Sequence, residues 1–192
     1  MAKKKVPMKP KLLLLNGPCG IGKSTLAQKY VDEHPMALNL DMDNVRSMMG
    51  QWRTEKERSV AQKLKLAHAL TEIHLRDGYD VVIPNILQTA GLEQFDNVAA
   101  KCGAIVCEIA LMAPKDEAIR RFIERGRADG NPTGFRPGGA LETGGGVAKL
   151  EQMYDDLETT LISRPNHKII EPIHGNIDAT YAQIIEHITT IS

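Results

Sequence analysis

The chain has 192 residues, 42% hydrophobic and 25% charged, with 24 basic and 24 acidic side chains. These values suit a soluble globular fold and argue against a nucleic-acid binder with a strongly basic surface. No apolar run nears the roughly 20 residues of a membrane span, and the cysteines, Cys19, Cys102 and Cys107, lack zinc-like spacing. Reduced thiols and a cytoplasmic location are expected. Lysines crowd the first residues (Lys3, Lys4, Lys5, Lys9, Lys11), and the remainder is acidic in balance. This basic end is read as a solvated terminus.

Leu12 to Leu15 read as a buried strand, and an amphipathic run from Ser24 reads as a helix reaching about Glu33. Between them lies Gly17-Pro18-Cys19-Gly20-Ile21-Gly22-Lys23-Ser24, followed by Thr25. It fits G-x-x-x-x-G-K-[ST], a phosphate-binding loop between strand and helix. Glycines let the backbone wrap around a phosphate with its N–H groups turned inward, and the helix N-terminus adds positive potential. Lys23 is expected to reach the β- and γ-phosphates of ATP, and Ser24 to ligate Mg²⁺. Cys19 is read as a small tolerated side chain within that loop.

Residues 36–40 read as a second strand, followed by Asp41-Met42-Asp43-Asn44-Val45-Arg46, with Asp43 as the cap of a short helix to Met49. Ligands of open α/β sheets bind beyond the C-terminal strand ends, so these carboxylates are candidates for chemistry on the γ-phosphate. Asp43 is read as the base that accepts a hydroxyl proton, Asp41 as a metal residue acting through water, and Arg46, three residues after Asp43, as a group positioning the acceptor. Thr54 to Glu57 form a capping-box pattern opening a helix whose apolar face is Val60, Leu64, Ala67, Leu70 and Ile73, ending at Gly78.

Val81-Val82-Ile83 reads as a third strand ending in Pro84-Asn85, where many P-loop enzymes carry a metal-binding Asp. Either Asp41 covers that role or metal binding is weak. A helix over 89–101, a strand over 104–111 and a helix opened by Pro114 follow. Arg121 and Arg125 share a face of that helix and are candidates for steadying the γ-phosphate. Residues 126–146 hold eight glycines and two prolines and read as a lid. A helix over 147–162, a strand over 168–170 and a closing helix complete the pattern. Arg164, between the sixth helix and the last strand, is a candidate for stacking on the adenine. The histidines form no ligand spacing.

Five strands alternating with helices predict a three-layer α/β/α P-loop NTPase fold with a five-stranded parallel sheet. The expected organisation is one kinase domain: core 11–43 and 78–125, acceptor-binding insert 44–77, lid 126–146 and C-terminal core 147–192.

The loop at 17–24, the Asp41–Asp43 pair and the arginine-rich helix before the glycine-rich segment resemble the small P-loop kinases of the adenylate-kinase-like group. Shikimate and gluconate kinases, zeta-toxin-type kinases and chloramphenicol phosphotransferases share that layout. The Asp43-Asn44-Val45-Arg46 spacing resembles the kinase module of polynucleotide 5′-kinases. The resemblance implies transfer of the γ-phosphate of ATP, with Mg²⁺, to a hydroxyl of a small molecule. A polynucleotide or nucleoside 5′-hydroxyl is the alternative acceptor, and an ATP-binding regulator without transfer activity is the alternative from another class. A motor-type AAA+ ATPase is not expected, because the chain is short for a separate helical lid domain.

Overall fold

The computed structural model describes residues 9–127 and 144–191. Five strands, β1 (Lys11–Asn16), β2 (Leu38–Asn39), β3 (Val81–Ile83), β4 (Ile105–Leu111) and β5 (Lys168–Ile170), form one sheet in the order β2-β3-β1-β4-β5. Every pairing is parallel, with Leu12 opposite both Val81 and Val106. The fold is therefore the expected α/β P-loop architecture. Parallel neighbours need crossovers, and helices supply them: α1 (Lys23–Glu33), α2 (Met42–Ser47), α3 (Lys56–Arg76), α4 (Thr89–Cys102), α5 (Lys115–Arg127), α6 (Gly146–Ser163) and α7 (Ile177–Thr190).

Side chains alternate across the pleat, so the leucine run of β1 feeds two cores. Leu13 and Leu15 pack with Leu26, Ala27 and Tyr30 of α1 and Tyr181, Ile184 and Ile188 of α7. Leu12 and Leu14 pack with Ala67 and Leu75 of α3 and Leu92, Phe95 and Val98 of α4. The four leucines are at most 1% exposed, and burying each contributes roughly 1.5–3 kcal/mol. That makes β1 the fixed axis from which the phosphate loop departs.

Three local expectations are corrected. Asp41, not Asp43, caps α2: its carboxylate accepts from the Asp43 N–H at 2.9 Å, which places Asp43 in the helix's first turn. The capping box at Thr54 does not form, because the Thr54 hydroxyl donates to the Gln51 carbonyl at 2.9 Å and α3 starts at Lys56 without a side-chain cap. The buried face of α3 is Ser59, Ala67, Thr71 and Leu75, while Val60, Leu70 and Ile73 are exposed. The apolar period is kept at Ala67 and at Leu64, which packs against the core, while Ser59 is buried because it receives the Arg46 Nε hydrogen bond from α2. Gly78 does end the helix, with φ +87°. Residues 128–143, most of the segment read as a lid, lie outside the described residues.

Candidate active site

The loop after β1 brings three glycines into positive φ: Gly17 (149°), Gly20 (82°) and Gly22 (104°). Two of them are required by neighbours as well as by backbone torsion. A Cβ on Gly17 would lie 2.5 Å from the Leu111 carbonyl oxygen at the end of β4, and a Cβ on Gly20 would lie 2.9 Å from Phe122 Cα in α5. The loop is thus clamped between β4 and α5. Asn16 closes its base: the side-chain amide donates to the Leu87 carbonyl at 2.9 Å, and Oδ1 accepts the Gly17 and Leu87 N–H groups at 3.0 and 3.2 Å.

Lys23 Nζ lies across the loop, donating to the Gly17 and Pro18 carbonyls at 2.7 and 2.8 Å. No side chain caps α1 at Gly22, and Ser24 and Thr25 are exposed. An uncapped helix start, inward-curving glycines and an exposed hydroxyl are a donor set that fits a triphosphate and its Mg²⁺. Among the described residues no group of three or more His, Cys, Asp or Glu is arranged to hold a metal. A Mg²⁺ here would rest on a hydroxyl, one carboxylate, water and phosphate oxygens, as this ion commonly does.

The sheet order explains the second half of the site. Because β3 lies between β1 and β2, its C-terminal end sits between the phosphate loop and the carboxylates after β2. Asn85 occupies that end and is only 6% exposed. Its Oδ1 accepts the Met42 N–H at 2.9 Å, and its Nδ2 donates to Asp41 Oδ1 at 3.2 Å. Asn85 therefore orients Asp41 and the start of α2. The sequence shows an Asn where an Asp was looked for, but only the sheet order shows what the Asn holds.

Asp43 points to solvent, with its side chain 71% exposed, and pairs with Lys63 of α3, Nζ to Oδ1 at 2.7 Å. Lys63 was not read as a site residue; it lies 20 positions away and carries no motif. Arg46 is committed elsewhere. Its Nε donates to Ser59 Oγ at 2.9 Å, and its guanidinium lies 5.1 Å from the centre of the Trp52 ring, with Arg53 at 4.4 Å. Arg46, expected to position an acceptor, thus stacks with Arg53 on the Trp52 ring and ties α2 to α3.

Arg164 likewise departs from expectation. It forms a double contact with Glu108 of β4, at 2.9 and 2.5 Å, and reaches Asp96 of α4 at 3.0 Å. Glu108 sits opposite Leu14 within the sheet, three residues short of the end of β4. This ion pair raises the Arg164 pKa, chiefly through Glu108. On α5, Arg121 donates to Glu117 at 2.7 Å and Arg120 pairs with Glu117 and Glu124. Arg120 first, then Arg121, holds the Glu117 carboxyl below its usual range. The Arg125 side chain lies outside the described residues.

A small apolar depression lies beside the loop, walled by Pro18, Cys19, Ile86, Phe122, Leu150 and Met153, among others. Sequence reading missed it because its walls come from the loop, the β3 end, α5 and α6. No helix among the described residues is long and apolar enough to cross a membrane.

The profile of a family described as an AAA domain matches residues 12–136. Nothing among curated proteins matches the chain. Among solved structures, a chain of the Pnkp1/Rnl/Hen1 RNA repair complex superposes with a TM-score of 0.62 at 19% identity, over 85% of this chain, which spans 49% of that longer one. The Mycobacterium tuberculosis APS kinase CysC, solved with AMPPNP and APS, gives 0.57 at 19% identity over 94% of this chain and 98% of that one. The Deinococcus radiodurans tunicamycin resistance protein gives 0.57 at 17% identity over 93% and 95%. The AAA description bears on the motor-type reading set aside above only in name: the described residues hold one sheet with the kinase-like strand arrangement. The fold is that of the P-loop kinases, and the chain, with the profile covering most of its length, belongs to this AAA-domain family.

Proposed function

We propose that this protein is an ATP- and Mg²⁺-dependent phosphotransferase that moves the γ-phosphate to a hydroxyl of a small molecule. The observation that carries the reading is the placement of Asn85. It ties the Asp41–Asp43 turn to the same sheet edge from which the phosphate loop departs. A phosphate cradle alone supports binding; a carboxylate pair held beside it supports transfer.

In this reading the loop N–H groups and the start of α1 cradle the phosphates, and Lys23 leaves the Gly17 and Pro18 carbonyls to contact the β- and γ-phosphates. Ser24 would hold Mg²⁺ directly and Asp41 through water, and the bound ion would neutralise phosphate charge. Asp41 Oδ1 already accepts from Asn85 Nδ2 and the Asp43 N–H, so a water-mediated contact to the ion would use Oδ2. Asp43 accepts the acceptor's hydroxyl proton, and its pairing with Lys63 fixes the carboxylate's direction. Arg121, Arg125 or both steady the transferring group. Arg46 acts at one remove, by fixing α2 against α3.

The test is Asp43→Asn. The variant is expected to bind ATP with wild-type affinity by calorimetry and to lose transfer by about 10²–10⁴-fold, with Lys23→Ala as the blank. Normal turnover in Asp43→Asn would remove Asp43 from the role of base. The second reading, a polynucleotide or nucleoside 5′-hydroxyl kinase, draws support from the likeness to the RNA repair chain. It requires oligonucleotide binding that weakens steeply with salt.

A further inference from the structure

We infer that the acceptor carries an anionic group close to its reacting hydroxyl, and that Lys63 of α3 receives that anion beside Asp43. The inference rests on the phosphotransferase reading and narrows its acceptor.

Asp43 fixes where the acceptor stands. A general base works within about 2.6–3.2 Å of the group it deprotonates, so the reacting hydroxyl lies against the Asp43 carboxylate. Lys63 Nζ already lies 2.7 Å from Oδ1 of that carboxylate. Hydroxyl and ammonium are thus partners of one carboxylate, and a group borne a few bonds from the hydroxyl meets Lys63. An ammonium has three donors. Asp43 takes one, and among the described residues Lys63 has no other hydrogen bond or ion pair. The Lys63 side chain is 16% exposed against 71% for Asp43. The cation is therefore the sheltered member of the pair, and the carboxylate is the member open to an incoming molecule.

The reaction itself removes the counter-charge. The alcohol oxygen bonds to the γ-phosphorus, the bond from that phosphorus to the bridging oxygen of ADP breaks, and the hydroxyl proton passes to Asp43. Asp43 is then neutral, and a sheltered ammonium without its carboxylate is unfavourable. A carboxylate or phosphate on the acceptor supplies the missing charge before, during and after transfer. The surroundings add to the same potential. Arg46 Nε meets Ser59, one turn before Lys63 on the same face of α3. Arg46 and Arg53 share the Trp52 ring, and among the described residues neither has a carboxylate partner. Residues 44–77 hold seven Arg and Lys against four Asp and Glu, in a chain whose totals are equal. Positive charge is concentrated on the insert that carries Lys63.

The experiment compares alcohols that differ by one anionic group: glycerate with glycerol, glucuronate with glucose, and uridine 3′-phosphate with uridine. Calorimetry with Mg·AMPPNP present measures binding, and ADP release from ATP measures transfer. Trp52 is the one tryptophan of the chain, so a change in its emission places the bound molecule at the insert. The preference within a pair is the reading, because loss of the partner of Asp43 slows transfer to every acceptor. Expected is at least one pair whose anionic member binds and reacts at least about tenfold better than the neutral one. Lys63→Met is expected to erase that preference with AMPPNP affinity unchanged, and Lys63→Arg to keep part of it. Neutral members that bind and react as well as the anionic ones would overturn the inference and leave the kinase reading standing. A preference untouched in Lys63→Met would overturn the assignment to Lys63. Anion binding lost in Lys63→Met, without ADP release by any of the six, would overturn the phosphotransferase reading and the acceptor assignment with it. Absence of binding by every anionic member would overturn the inference outright.

Discussion

Asn85→Asp places a carboxylate where the structure has an amide donor. The new oxygen would face Asp41 Oδ1 across the present hydrogen-bond distance of 3.2 Å. At that separation two unit charges repel by roughly 1 kcal/mol under full water screening and roughly 5 kcal/mol at an effective dielectric constant near 20. Asp41 is half-buried and Asn85 is buried, so a loss of about 2–3 kcal/mol is expected at neutral pH, between those limits. The loss depends on pH in a definite direction. Carboxylates sharing a site retain a proton, so the folded pair has one pKa above its unfolded value. The folded state then binds more protons, and the variant's deficit is absent below about pH 4 and grows as pH rises through the raised folded value. Asn85→Ala is the reference. It strips the acceptor from the buried Met42 N–H and costs about 1–3 kcal/mol without a comparable pH dependence. Urea unfolding of wild type and both variants at pH 5 and pH 8 makes the measurement. An Asn85→Asp deficit equal at the two pH values, or none, would refute the claim that this amide holds Asp41.

Other residues give independent checks. Arg164→Ala is expected to lose about 3–5 kcal/mol by leaving Glu108 buried and unpaired, with ATP affinity unchanged; lower affinity at unchanged stability would restore the adenine-stacking role. Gly20→Ala sets a Cβ 2.9 Å from Phe122 Cα at φ +82°. The backbone term alone is about 1–2 kcal/mol, so ATP affinity by calorimetry should fall at least about tenfold, and wild-type affinity would refute the clamp between loop and α5. His68 has a buried Nε2 without a hydrogen-bond partner and packs edge-on to Phe95. Burial lowers its pKa, so the unfolded chain binds this proton first and stability falls as pH drops below about 6.5. His68→Leu should flatten that slope in urea melts between pH 7 and pH 5; an unchanged slope would assign it to other groups.

Local chemistry sufficed for the phosphate loop, the parallel α/β sheet and the carboxylates after β2. Each depends on residues within a few positions of one another: glycines that permit positive φ, a lysine one residue into the helix, a leucine run able to fill both faces of a strand. Tertiary structure decided the partners. That Arg164 meets Glu108, that Arg46 meets Ser59 and that Asn85 holds Asp41 all come from contacts between segments distant in sequence. The buried face of α3 was legible at Leu64 and Ala67 and missed at Ser59, Thr71 and Leu75 for the same reason, since a helix shows its neighbours the side its tertiary contacts dictate, and the more apolar Val60, Leu70 and Ile73 stay exposed. Sequence records which groups a chain can offer. Which of them remain for a ligand depends on which the fold has already engaged, because a charge or amide within hydrogen-bond reach of a buried partner takes that partner first.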